Sequence, residues 1–188
     1  RHPEKVAAMV LTNCDALDVY PPFPFNFLPP LARMPGGIAP LGLLMKVKPI
    51  RWATFRLLTA EPIPDAKLKA WLRPPSTNPA IRRDVDKVIG GLEKNQANEA
   101  AETLRNFDKP VLFTWGVKDR FFRLELAERL AAMLPDARIA RIEGGRTFVA
   151  LDDPAEVSRL IVEFMNERVA PSGRSDAEGS TLAGADGR

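Results

Sequence analysis

Three short apolar runs interrupt a chain that is otherwise patterned for helix. Val6 to Asn13 carries Val6, Met9, Val10 and Leu11 and ends in polar residues. Pro110 to Trp115 reads Pro-Val-Leu-Phe-Thr-Trp, with Gly116 behind it, and Ala137 to Glu143 alternates with period two. Runs of this length bounded by turn formers predict strands, and the alternation places the third nearer a sheet edge. Elsewhere the period changes. Leu126, Leu130, Met133 and Leu134 share one helical face of Leu124 to Leu134. From Pro154 to Val169, the residues Val157, Leu160, Ile161, Phe164 and Met165 follow the i, i+3, i+4, i+7, i+8 spacing of an amphipathic helix. Strands alternating with helices predict an α/β class, with three parallel strands adjacent in chain order and joined by crossovers.

The segment between the first two strands follows other rules. Thirteen of the 18 prolines lie from Pro21 to Pro79. Proline lacks a donor and pushes the residue before it out of the helical region, so Tyr20 to Pro40 is expected to wind rather than form a long helix. Helices fit in the gaps, at Ala39 to Lys48, Ala53 to Thr59 and Asp65 to Leu72, and then at Arg82 to Gly90 and Asn98 to Phe107. Residues 20–107 are therefore expected to form a mostly helical inserted subdomain between core segments 1–19 and 108–169. Residues 170–188 lack apolar periodicity and are expected to be a disordered tail.

Composition narrows the class. The 188 residues are 45% hydrophobic and 27% charged, which excludes wholesale disorder. No apolar run reaches the roughly 18 residues of a membrane span. A single cysteine, Cys14, excludes a disulfide framework and a Cys-cluster zinc site, and points to a reducing, cytoplasmic compartment. A single histidine, His2, excludes a His-rich metal site and leaves one candidate imidazole base. The net charge of +3 conceals ten Lys or Arg against Glu61 and Asp65 between Leu31 and Arg83. Phosphate neutralisation is one use of such a patch, but base-stacking aromatics are not interleaved with it, so a solvated face and no nucleic acid are expected. Gly90-Gly91 and Gly144-Gly145 read as turns, and without a Gly-x-Gly-x-x-Gly or phosphate loop no cofactor is implied.

Ligands of open parallel sheets meet the protein beyond the strand ends. Asn13 and Asp15 follow the first strand, Asp119 the second, in Trp115-Gly-Val-Lys-Asp-Arg-Phe-Phe122, and Thr147 the third, in Gly144-Gly-Arg-Thr-Phe-Val-Ala-Leu-Asp-Asp-Pro154. A carboxylate there can orient and charge-stabilise a base; it can equally cap a helix or form a turn.

The order of these motifs, from Arg1-His-Pro-Glu-Lys-Val6 through the proline-broken insert to the third, resembles the C-terminal two-thirds of an α/β-hydrolase. The similarity is to the capped branch that holds haloalkane dehalogenases, epoxide hydrolases and related esterases. The resemblance implies a partial α/β-hydrolase fold, its last three strands plus a helical cap at residues 20–107. It implies a hydrolase acting on a small, apolar ester-, halide- or epoxide-like molecule. Asp119 takes the place of the triad acid, and Asp15 (or Asn13) that of the alternative acid after the preceding strand. Phe25, Trp52 and Trp71, with other cap aromatics, would line the substrate pocket or simply form cap core. Two departures stand out. The nucleophile elbow and oxyanion loop of the family would precede Arg1, so the chain is expected to be a piece of a longer protein, inactive alone. The family's Gly-His-Phe base motif reads Arg146-Thr147-Phe148, and a threonine hydroxyl does not shuttle protons as imidazole does. A non-catalytic relative that binds ligands or partners is the alternative.

Overall fold

A computed structural model describes residues 2–168, so the expected tail at 170–188 lies outside the described residues. Strands β1 (Met9–Thr12), β2 (Val111–Gly116) and β3 (Ala137–Ile142) form one parallel sheet in the order β1-β2-β3. Met9 pairs with Val111 and Val111 with Ala137, and the register runs on from there. The helices are α1 (Leu28–Arg33), α2 (Ala39–Leu44), α3 (Lys48–Leu58), α4 (Asp65–Thr77), α5 (Pro79–Gly90) and α6 (Lys94–Leu104) between β1 and β2. After β2 come α7 (Leu124–Ala131), α8 (Val149–Asp152) and α9 (Pro154–Arg168).

The core follows from the pleat of β2, which is buried along its whole length. Val111, Phe113 and Trp115 pack with Phe107, Leu126, Ala127 and Leu130 on the α7 side. Leu112 turns the other way, onto Val149, Val157, Leu160 and Phe164 of α8 and α9. Alternate side chains thus hold helices on both faces of a parallel strand. Both β1 and β3 are only partly buried, as outer strands.

Several helix ends in this segment differ from the sequence reading. Helix α3 starts at Lys48, ahead of the expected Ala53, because Pro49 sits in its first turn, where a missing donor costs nothing. Helix α4 runs through Pro74 and Pro75 to Thr77 instead of stopping at Leu72. The two prolines remove the helical donors to the Ala70 and Trp71 carbonyls, and the Ser76 and Thr77 hydroxyls bond back to the next two, Leu72 and Arg73, at 2.6 and 2.9 Å. Ahead of β1, His2 precedes a single 3-10 turn at Pro3–Lys5. Among the described residues no helix is long and apolar enough to cross a membrane.

The basic patch mostly faces solvent, as expected, with one exception. Arg51 is 2% exposed. Its guanidinium donates to Asp65 and to the carbonyls of Met45 and Lys46, the latter two at 2.7 and 3.1 Å. It therefore ties the start of α4 to the turn between α2 and α3.

Candidate active site

The C-terminal end of β2 and the loop after β3 are pressed together by two glycines. A Cβ on Gly116 would lie 2.5 Å from the Gly145 carbonyl carbon, so only glycine permits this approach. Backbone bonds fix the contact: Val117 N–H donates to Ile142 O at 3.1 Å and Lys118 N–H to Gly145 O at 2.9 Å. The pinch sets the residues that follow each strand side by side.

Asp119 lies in that cleft and is 5% exposed. Its Oδ1 accepts from Phe121 N–H at 2.8 Å, Phe122 N–H at 3.2 Å and the Thr147 hydroxyl at 3.0 Å. Its Oδ2 accepts from the Asn13 amide at 2.9 Å. Asn13 is itself fixed, because its Oδ1 accepts from Gly116 N–H at 2.7 Å and its amide also reaches Gly116 O at 3.2 Å. One residue from the end of each of the three strands thus meets at a single carboxylate. Burial pushes the Asp119 pKa above the ordinary carboxylate value, and the Phe121 and Phe122 amides, Thr147 and Asn13 pull it back. Both oxygens accept, which is the pattern of an ionised carboxylate.

The capping alternative has a part in this as well. Asp119 bonds the turn amides of Phe121 and Phe122, whereas the N-cap of α7 is Arg123, without a side-chain cap. The loop carrying Thr147 is anchored on the helical segment. Arg146 Nη1 donates to Arg56 O at 2.7 Å and Thr59 O at 3.2 Å, and Phe148 N–H to Leu58 O at 3.0 Å, all at the C-terminal end of α3. Asp152 accepts from Ala60 N–H at 2.8 Å and from Arg146 N–H at 2.7 Å. Sequence reasoning missed this strap and the role of Asn13. Asn13 offered one signal, an amide directly after a strand; Arg146 and Asp152 offered none without the contact with α3.

The other candidates lie apart from this carboxylate or on its margin. Asp15 is exposed and takes no part in the network. Phe25 reaches the acid loop, its ring 5.1 Å from that of Phe121 and tilted by 57°. Trp52 is 51% exposed, with the Arg56 guanidinium 6.0 Å from its ring. Trp71 is 41% exposed and packs 6.3 Å from Phe55, with the Lys67 ammonium 5.4 Å away. His2 is exposed and bonded to Glu4 at 3.0 Å. Asp119 borders a hollow of about 600 Å³, with Arg120, Arg123 and Glu125. A larger cleft, of about 680 Å³, belongs to the helical segment alone and holds neither Asp119 nor the three aromatics.

This arrangement can hold and neutralise a positive charge developing next to Asp119. Among the described residues no nucleophile joins it, and the Thr147 hydroxyl donates to the acid instead of accepting a proton from a third group.

No protein-family model matches the chain, and no curated protein matches it by sequence. Solved structures do match by shape. An α/β hydrolase fold protein from Burkholderia ambifaria superposes with a TM-score of 0.65 at 20% identity, over 84% of this chain and 56% of its own. A serine hydrolase from Cycloclasticus zankles gives 0.66 at 17% identity, over 88% and 57%. An ancestral haloalkane dehalogenase gives 0.67 at 18%, over 88% and 61%. The chain spans a little over half the length of these structures. Three parallel strands with helices on both faces and a helical insertion after the first strand make this chain part of an α/β-hydrolase fold.

Proposed function

We propose that the chain is the cap-bearing C-terminal part of a hydrolase acting on a small, apolar ester-, halide- or epoxide-like substrate, with Asp119 as its triad acid. The observation that carries this reading is the convergence on Asp119: a buried carboxylate just beyond a central strand, aimed by Asn13 and touched by the residue at the family's base position, Thr147. Helices α1 to α6 take the part of the cap. Phe25, against the acid loop, is the best placed of the three aromatics to meet substrate, while Trp52 and Trp71 offer exposed apolar surface on α3 and α4. No Gly-x-nucleophile-x-Gly elbow occurs in these 188 residues, so the reading requires a nucleophile and oxyanion donors that they do not themselves supply.

In such an enzyme an imidazole would sit between Asp119 and the nucleophile, take the nucleophile's proton, and be stabilised as a cation by the carboxylate. Thr147 fills that place without the proton affinity. Loss of a general base costs about two to four powers of ten in rate. The longer protein is accordingly weak, or it draws its base from another segment. The closure of Thr147 onto Asp119 also favours a second reading, a ligand-binding relative that has lost catalysis.

One substitution separates the two. Thr147→His in the longer protein, assayed on short-chain esters and haloalkanes, should raise kcat/KM at least tenfold, and Asp119→Asn should abolish the gain. No gain with the fold intact favours the binding protein. If Asp119→Asn changes nothing in an active enzyme, Asp119 is only a turn former.

A further inference from the structure

The cleft of about 680 Å³ opens between α2, α4 and α5, and its walls are apolar: Ile38, Leu41, Met45, Leu72, Pro75 and Val85. Its volume is that of an ordinary small-molecule site. The charged residues on its lining are Lys46 and Arg82; no carboxylate is on the lining, and Asp86, which accepts from Ile38 N–H at 2.9 Å, stands at the far margin from Lys46. A smaller hollow of about 250 Å³ shares Gly42, Met45, Lys46, Leu72 and Ser76 with it, and adds Arg51, Lys69 and Arg73, again without an acid. Arg51 is committed to Asp65 and Lys69 pairs with the same carboxylate at 3.0 Å. Lys46 and Arg73 pair with no carboxylate among the described residues. The combined space is thus an apolar trough that ends at Lys46 and Arg73, the two cations there without a carboxylate partner among the described residues.

We infer that this trough binds a single-chain amphiphile with an anionic head, of the fatty-acid class. The tail would lie along Leu41, Leu72 and Val85, removing apolar surface from water. The carboxylate would lie at Lys46 and Arg73, where the walls raise the strength of each charge pair over its value in open water. A cationic head would meet like charge there, and a neutral one would gain nothing from the lysine and arginine. The site shares no lining residue with the hollow at Asp119, so it does not rest on the hydrolase reading.

Gly42 provides a clean probe. It lies inside α2 and lines both hollows, and a Cβ there would meet no atom within 4 Å. Gly42→Leu therefore fills the trough while improving helix propensity, so the variant keeps its fold. Calorimetric titration of the chain with decanoate, below its micelle concentration, should show one saturable site. Gly42→Leu should weaken it at least tenfold and Lys46→Glu at least fivefold, with circular dichroism unchanged. Decyltrimethylammonium should bind at least tenfold more weakly than decanoate. Equal binding of the two amphiphiles, or decanoate binding indifferent to Gly42→Leu, overturns the assignment. So does retention on vesicles of anionic phospholipid without binding of monomeric decanoate, which would mark a membrane surface instead.

Discussion

Four donors converge on Asp119, and removing the acceptor strands three of them. Asp119→Ala leaves the Phe121 and Phe122 amides and the Thr147 hydroxyl without their partner, while the Asn13 amide keeps Gly116 O, and should cost about 2 kcal/mol or more by urea denaturation. The sign of the pH effect follows from the raised pKa. A carboxyl that holds its proton more tightly when folded contributes stability below the unfolded value, near 4, and that contribution is lost as pH rises through the folded value. Asp18, Asp65 and Glu156, each lowered by an arginine bond, act with the opposite sign as the pH falls. Subtracting the Asp119→Asn profile isolates the first effect. Wild type should lose stability relative to that variant above pH 4, and a flat difference would contradict the burial argument. Cys14 is a second residue with a definite expectation. Burial, with the charge of Asp15, pushes its thiol up to about 11, so thiolate is scarce near pH 8. Its reaction with a disulfide reagent should be slower in the native chain than in urea, by tenfold or more.

At the scale of elements, the two glycines of contrasting surroundings make a paired test. Gly116→Ala drives a methyl into the Gly145 backbone at 2.5 Å and should destabilise by about 2–3 kcal/mol, because backbone on both sides leaves no room to yield. Gly42→Ala faces open space inside a helix and should stabilise by up to about 1 kcal/mol. The strands were legible in the sequence because each is a short apolar run between turn formers, and β2 needed no more than Val-Leu-Phe-Thr-Trp before Gly116. Strand order followed from the crossovers, as did the approach of Asp119 to Thr147. Helix ends were less legible. The persistence of α4 through Pro74-Pro75 runs against the local rule, because each proline removes the helical donor to the carbonyl four residues back. Arg51 was counted among solvated cations because its burial depends on Asp65 and on carbonyls of the turn before α3, contacts that charge counting along a chain does not contain. The same holds for the Arg146 and Asp152 strap, which joins segments about 90 residues apart.

For the whole molecule, the decisive feature is that β1 borders the sheet and, among the described residues, pairs on one side only. Met9 N–H donates to Pro110 O at 3.0 Å, so in the parallel register Leu11 also faces β2, and the peptide groups of Val10 point outward. An unpaired edge of this kind is a template for another strand. Its side chains are only partly buried, and Val6, just ahead of it, is exposed, so apolar surface accompanies the free backbone groups. A second copy of the chain offers the same edge and the same surface. The chain purified alone should therefore associate in a concentration-dependent way, seen as a rising mass by light scattering behind a sizing column. Val10→Pro removes an outward donor without touching the β1–β2 ladder, since proline is tolerated at a sheet edge. That variant should shift the equilibrium toward monomer while its circular dichroism stays near that of wild type. A monodisperse, cooperatively melting wild-type monomer would show instead that the edge is shielded by the chain itself. Association indifferent to Val10→Pro would move the contact away from β1, to the exposed apolar side chains of α2 and α3.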